Sequence, residues 1–364
     1  MVSIVIATKR SKSYKFLTST KFQLVQNTLY ANIDLTKEFK HFKHKTMKPN
    51  KKISIIVTAF REEKTIAKCI ECIANKEYSG LTEDYEIILT APDQETHAAA
   101  SAKAKELGIE EKLVHLIDPG KGKPTGLNLA MDNATGSVWV FTDGDVYLGH
   151  DAISRLLKHF KNPSVEMVTG RPKSADSKSN MMGYFGNLLA DAAHHKRTID
   201  LTENPEGKSL AFVKKRAFFP VTGYIYAMRK TDLRFPADTL VDDAYISYAV
   251  FNEGGRIEYE PNALAYVKYP TNLADYFKQK KRSTGGYIQL WEYGIVRPDT
   301  KTRSFWRELE YFWYPISYAK NIKELFFSLL MYPIRLWLWV QIFWERKVIK
   351  KDFVKTWVRV ESTK

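Results

Sequence analysis

Apolar residues in this chain fall in short, dense runs separated by polar, helix-forming stretches. Ile53 to Ala59 is broken only by Ser54 and Thr58, Glu86 to Thr90 centres on Ile-Ile-Leu, and Leu113 to Ile117 is interrupted only by His115. A fourth run reads Val138-Trp-Val-Phe-Thr-Asp-Gly-Asp145. Short runs of this kind, rich in β-branched and aromatic side chains and without polar alternation, predict strands covered on both faces. Between them, Ile66, Cys69, Ile70 and Ile73 recur at helical spacing, an alanine-rich segment follows Asp93, and a further helix is predicted from about Leu127 to Asn133. Strand alternating with helix in this rhythm predicts a mainly parallel sheet flanked by helices, the α/β class.

The pattern continues with a helix over 151–160, a strand over 165–170 and a longer helix over 180–196. A strand-like stretch from Phe218 to Met228 follows, then a helix opened by Val241-Asp-Asp243, a strand from Arg256 to Val267 and a helix from Ala274. The last stretch changes character. Phe305, Trp306, Leu309, Phe312, Trp313 and Ile316 repeat at helical spacing with Arg307, Glu308 and Glu310 between them, which predicts an amphipathic helix at an interface. Leu325 to Trp344 is twenty residues interrupted only by Ser328, Pro333, Arg335 and Gln341. At ~1.5 Å per residue it matches a ~30 Å hydrocarbon core. Arg335 near its middle and Pro333 turn the expectation toward an interfacial or re-entrant helix over a full span, with a core helix as the alternative. Three segments follow: a basic N-terminal arm over 1–52, the α/β domain over 53–295 and membrane-associated C-terminal helices over 296–364.

Charge sharpens this division. Of the net +15, residues 1–52 supply twelve Lys/Arg against two acidic residues, and 345–364 supply seven against three, so fourteen of the excess charges sit at the two ends. Basic flanks around a nearly neutral body fit an anionic membrane surface. No nucleic-acid motif accompanies them, so no nucleic-acid partner is expected. Ser3 to Ala7 is too short an apolar run for a signal peptide. Cys69 and Cys72 are the only cysteines; with no second pair to complete a zinc site, and within a helical apolar stripe, they read as core thiols of a reducing compartment. His194 and His195 read as surface or interhelical residues.

Candidate chemistry gathers at the strand ends. Asp143 and Asp145 close the fourth run, at the edge where open α/β sheets bind ligands, and paired carboxylates there suit a divalent cation bridging phosphates. The loop Gly120-Lys-Gly-Lys-Pro-Thr-Gly126 does not satisfy the P-loop pattern, yet it carries Lys121 and Lys123 to a helix start. It is either a phosphate contact or a solvated loop. Asp242 and Asp243 open a helix, where an aspartate can equally be an ordinary cap.

Taken in order, these motifs resemble the family 2 glycosyltransferases with the GT-A fold, over Ile53 to about Tyr293. Ala59-Phe60-Arg61-Glu62 is similar to the family's nucleotide-binding start, and Asp93 to the carboxylate that contacts the base. Lys123-Pro-Thr-Gly-Leu-Asn128 resembles Lys-x-x-Ala-Leu-Asn, and Asp143-Gly-Asp145 the metal-binding Asp-x-Asp. Asp242-Asp243 stands where the family carries the pair whose second carboxylate is the base. Gln279-Lys-Lys-Arg282-Ser283 resembles the Gln-x-x-Arg-Trp of processive synthases, with Ser283 in place of the tryptophan on which an acceptor sugar would stack. The resemblance implies inverting transfer from a nucleotide-diphosphate sugar, a UDP-sugar above all, to a hydroxyl of a glycan or lipid-linked acceptor. It also implies Mn²⁺ or Mg²⁺ on Asp145 and Asp143, donor contacts from Ala59, Glu62, Asp93, Lys123, Gln279 and Arg282, and Asp243 beside Asp242 as base. Loss of the tryptophan favours single addition over polymer synthesis, at the cytoplasmic face of the membrane. A catalytically inactive, membrane-tethered scaffold is the alternative.

Overall fold

The apolar runs pair into one eight-stranded sheet. The computed structural model describes residues 52–202, 218–300, 308–349 and 361–363; apart from Lys52, the predicted basic arm lies outside them. Strands β1 (Ile53–Thr58), β2 (Tyr85–Ala91), β3 (Leu113–Ile117) and β4 (Val138–Asp143) are joined by α1 (Ile66–Ala74), α2 (Gln94–Leu107) and α3 (Lys123–Asn133). After the short β5 (Tyr147–Leu148) come α4 (Ala152–His159), β6 (Val165–Ser174) and α5 (Met181–Thr202). Then follow β7 (Ile225–Arg229), α6 (Asp242–Asn252), β8 (Arg256–Val267) and α7 (Leu273–Glu292).

Strand order is β3-β2-β1-β4-β7-β6-β8-β5. β1 pairs in parallel with β2 and β4, β2 with β3, and β6 with β8, while β7 runs antiparallel to β4 and β6, and β5 to β8. The sheet is therefore mixed: parallel through β3-β2-β1-β4, as the strand–helix rhythm predicts, and antiparallel where β7 and β5 join. Both faces are covered: Ile55 and Val57 pack with α1 on one side, and Ile56, Trp139, Phe141 and Tyr226 with α3 and α6 on the other. That is why β1 and β2 are apolar without alternation: every residue of each is buried. Cys69 and Cys72 are free and buried in α1; His195 stacks on Tyr314 of another helix, an interhelical contact, whereas His194 meets Tyr259 of β8 at 2.8 Å, a helix-to-strand contact in place of the surface or interhelical one expected.

Two expectations change. The strand expected over 218–228 pairs only from Ile225, because the preceding backbone is claimed by side chains and a proline. Pro220 has no N–H to donate, the N–H of Val221 donates to Ser247 Oγ, that of Thr222 to Thr169 Oγ1 and that of Gly223 to Asp243 Oδ2. Second, no continuous helix fills 305–316. Residues 301–307 lie outside the description, 310–313 form a turn, and a separate helix, α8 (Tyr314–Tyr318), begins with Pro315 in its first turn.

The long helix α9 (Ile322–Lys347) contains the whole apolar run and includes Pro333. One face packs: Met331 joins Tyr184 and Phe185 of α5 and Tyr276 of α7 in a third core cluster. Arg335 turns toward the protein, pairing with Glu308 and donating to Tyr276 Oη at 3.3 Å. The other face is open, with Phe326, Leu329, Trp337, Phe343 and Trp344 all half exposed or more.

A buried polar node locks the non-functional edge. Glu86, only 6% exposed, accepts from Ser54 Oγ at 2.6 Å, Thr135 N–H at 2.7 Å and Thr135 Oγ1 at 2.8 Å, and pairs with Lys52 at 3.2 Å. Burial pushes this carboxyl up, but the Ser54 and Thr135 hydrogen bonds outweigh it and hold it below its usual range. Its stabilisation is thus present above the unfolded-state pKa and lost as pH falls through the folded one. Glu86→Ala, which strands buried donors, is expected to cost ~1–3 kcal/mol, seen as a lower urea midpoint at unchanged slope, with the deficit shrinking in acid.

Candidate active site

Parallel register brings the ends of β1 and β4 level, with Thr58 opposite Asp143. There Thr58 Oγ1 donates to Asp143 Oδ1 at 2.8 Å, and Lys123 Nζ reaches the same oxygen at 2.6 Å and Asp242 Oδ2 at 3.6 Å. Lys123 arrives because α3 starts abruptly: Gly122 before it has φ 107°, a conformation few side chains tolerate, and Pro124 sits in the first turn. Burial pushes the Lys123 ammonium down, but Asp143, then Asp242, more than compensate, so it remains charged. Lys121 is exposed, which divides the loop's two lysines between site and solvent.

The motif's central glycine is closely packed. A Cβ on Gly144 would lie 2.7 Å from Glu62 Oε2 and 3.0 Å from Ala59 Cβ. Behind it, Cys69 Sγ donates to the Asp143 carbonyl at 3.6 Å. Asp143, Asp145 and Asp242 share a cavity of about 270 Å³ with Ala59, Glu62, Lys123, Gln279 and Arg282. Gln279 Oε1 is buried with no hydrogen-bond partner, an acceptor left for a ligand.

Two predicted residues stand apart from that lining. Asp93 caps α2: its oxygens accept the N–H of Arg61 at 2.7 Å and of Thr96 at 3.1 Å, and the Thr96 hydroxyl. Asp243 sits behind Asp242, its Oδ2 accepting the Gly223 N–H at 3.0 Å and its Oδ1 the Ala244 N–H at 2.8 Å. Burial first, and then the Asp242 charge, push its carboxyl up to about 6. The cavity wall also contains residues the motifs do not announce: Thr58, Thr90, Asp118 and Tyr224. Thr90 Oγ1 is buried and unpartnered, while Asp118 spends one oxygen on the Gly120 N–H at 2.7 Å. Burial, then Asp145 and Asp143, push the Tyr224 phenol up to about 12, keeping it a proton donor. Only a three-dimensional signal identifies these four, since each is an ordinary strand-end or loop residue in the sequence.

Among the described residues no group of three or more His, Cys, Asp or Glu side chains forms a self-sufficient metal cluster. Asp143 is engaged by Lys123 and Thr58, and Asp145 lines the same cavity.

Residues 49–286 match the family described as "Glycosyltransferase like family 2", and the chain belongs to that family. It is 22% identical over 207 residues to the glycosyltransferase GlyA of Streptococcus pneumoniae, covering 55% of this chain and 28% of that one. It is 23% identical over 244 residues to the poly-beta-1,6-N-acetyl-D-glucosamine synthase of Staphylococcus epidermidis, covering 65% of this chain and 55% of that one. The chain thus spans from about a quarter to about half the length of these curated relatives. Its fold resembles that of a mannosyltransferase from Pyrobaculum calidifontis solved with GDP-Man and Mn²⁺, at 16% identity and a TM-score of 0.52 over 91% of this chain and 97% of the other. The fold is accordingly GT-A.

Because Gly144 packs closely on Glu62 and Ala59, Gly144→Ala is expected to shift the loop at a cost of ~1–3 kcal/mol. Calorimetric titration with UDP and Mn²⁺ should then show affinity lower by on the order of tenfold or more.

Proposed function

We propose that the protein transfers a sugar from a nucleotide-diphosphate donor to a hydroxyl acceptor, with inversion and with a divalent metal, at a membrane surface. One observation carries this reading: Asp143, Asp145 and Asp242 converge on a single cavity at the strand carboxyl ends, with Lys123 between them. A diphosphate leaves only if the charge building on it is stabilised. A divalent ion on Asp145, when bound, would supply that as a Lewis acid. Lys123 and Arg282 add fixed positive charge, and Gln279 a polar contact, on the cavity wall. Ala59 and Glu62 line the nucleotide end. Asp93 acts there through the backbone it holds, and Asp118 and Thr90 offer the acceptor and hydroxyl that suit uracil's N–H and carbonyl edge, so a UDP-sugar is our reading of the donor.

Asp243 is the base in this reading. It takes the proton of the acceptor hydroxyl as that oxygen attacks the anomeric carbon from the face opposite the diphosphate, and a single direct displacement inverts the centre. Asp242 raises its affinity for the proton and stays paired with Lys123. With Ser283 where processive synthases carry tryptophan, one sugar is added per encounter.

Membrane association rests on α9, 24 residues of which have the length and hydropathy to cross a bilayer while only 22% of the key window is buried. Since Arg335, Ser328 and Met331 tie its inner face to the domain, we read it as lying in the interface, apolar face down, with 53–295 as the catalytic unit and 296–364 as its anchor, on the cytoplasmic leaflet. A glycan or lipid-linked acceptor would reach Asp243 from that surface.

The base is tested by pH. A carboxyl raised to about 6 must ionise to act, so turnover is expected to rise with pH through that value and level off above it. Asp243→Asn should lower transfer by on the order of 10²–10⁴ and remove the limb while nucleotide still binds. The raised carboxyl also stabilises the fold only below its unfolded pKa and loses that contribution as pH rises through about 6, so the Asn variant should be no less stable than the parent at neutral pH. Near-normal turnover in Asp243→Asn would remove this residue from the mechanism.

The anchor is tested by flotation. The intact protein should rise with anionic liposomes, and high salt should release it only in part, since apolar burial survives screening. A protein that stays in the supernatant at low salt has no membrane surface to offer.

A further inference from the structure

The donor cavity leaves one strongly basic feature beside Asp243 unexplained. Arg197, near the end of α5, donates from Nη2 to the Pro220 carbonyl at 3.2 Å and lies over the Tyr259 ring at 5.3 Å. Its Nη1 is buried with no hydrogen-bond partner. No carboxylate among the described residues is paired with it, and burial, the leading influence, pulls its guanidinium down, with only Tyr259, Tyr287 and Asp243 opposing. An arginine buried against its own interest is costly unless something anionic completes it.

Its neighbourhood has the same bias. Arg171 on β6 pairs one edge with Asp191 at 3.0 Å, yet its Nε is buried and unpartnered too. His194, bonded to Tyr259 and within the field of both guanidiniums, is held neutral, its pKa pulled down to about 4 by burial and then by Arg171. Of the two guanidiniums, only Arg171 has a carboxylate, Asp191, in an ion pair among the described residues. The segment that binds Arg197 is also the one that holds the base: Pro220 takes the guanidinium, and Gly223, three residues on, donates to Asp243. Arg197 does not line the cavity around Asp143 and Asp145, and the 220–223 segment links it to Asp243.

We propose that Arg197, supported by Arg171, is an anion subsite for the acceptor, binding a phosphate or carboxylate group carried close to the hydroxyl that Asp243 deprotonates. The inference rests on the glycosyltransferase reading above. A guanidinium with an open N–H favours an oxyanion over a neutral sugar ring, and the charge selects acceptors before chemistry begins. The anion is either free in solution or a lipid headgroup at the surface under α9.

The test uses the full chain saturated with Mg²⁺ and UDP, or GDP if that is the nucleotide that raises its thermal midpoint, so that the donor site is filled. Inorganic phosphate, glycerol phosphate and vesicles containing phosphatidylglycerol are then added separately, to the parent, Arg197→Lys and Arg197→Gln. The expected result is a further rise in midpoint in the parent and in Arg197→Lys, abolished in Arg197→Gln, whose retained nucleotide shift reports an intact fold. A rise from glycerol phosphate marks a soluble acceptor, and a rise from the vesicles alone marks a headgroup. No rise from any of the three, or an equal rise in Arg197→Gln, overturns the subsite. If neither nucleotide shifts the midpoint, the glycosyltransferase reading fails, and this inference with it.

Discussion

The Lys123 ammonium is the constraint on which the catalytic edge depends. Parallel pairing, a helix start and a motif loop bring Asp143, Asp145, Asp242 and Asp243 to one edge of the sheet, and like charges so close repel by several kcal/mol at an effective dielectric of ~20. Lys123, at 2.6 Å from Asp143 and 3.6 Å from Asp242, is the fixed counter-charge. It reaches both because β1, β4 and α3 are locked by a core closed on each face of the sheet. Repulsion that remains is put to use: it is Asp242 that, after burial, lifts Asp243 toward neutrality of pH. One cation thus sorts these carboxylates: Asp143 and Asp242 are paired with Lys123, while Asp243, behind Asp242, holds its proton more tightly than an ordinary aspartate.

The C-terminal region gives that edge an orientation. α9 is built like a membrane helix on its outer face and like a core helix on its inner one. The arginine that would be costly in a bilayer turns inward to Glu308 and Tyr276, which removes the main objection to apolar insertion of the other face. Tyr276 belongs to α7, the helix that also carries Gln279 and Arg282. The surface that would meet lipid and the wall that would meet a diphosphate are therefore coupled through one helix.

Period and composition carried much of this. The buried strands were legible because residues apolar on both faces leave no alternation, and Asp143 and Asp145 because a strand that ends on two carboxylates has few structural reasons to do so. The end of the strand expected over 218–228 was not, because what stops pairing before Ile225 is the hydroxyl of Thr169, the hydroxyl of Ser247 and the carboxylate of Asp243, none near it in sequence. Asp93 shows the converse: motif order points to a ligand contact, while the local chemistry of Asp-x-x-Thr makes it a helix cap. Asp118, Thr90 and Arg197 are invisible to pattern because their significance is an unfilled hydrogen bond or charge, which exists only once neighbours are in place.

The central proposal is that Asp145 holds a divalent ion when the nucleotide is bound, while Asp143 is held by Lys123. Electron paramagnetic resonance of Mn²⁺ titrated into the protein with UDP measures it directly, because bound ion loses its free signal. The account predicts that the parent binds Mn²⁺ in a UDP-dependent manner and that Asp145→Ala abolishes this binding while leaving the fold intact. Undiminished UDP-dependent Mn²⁺ binding in Asp145→Ala would contradict it.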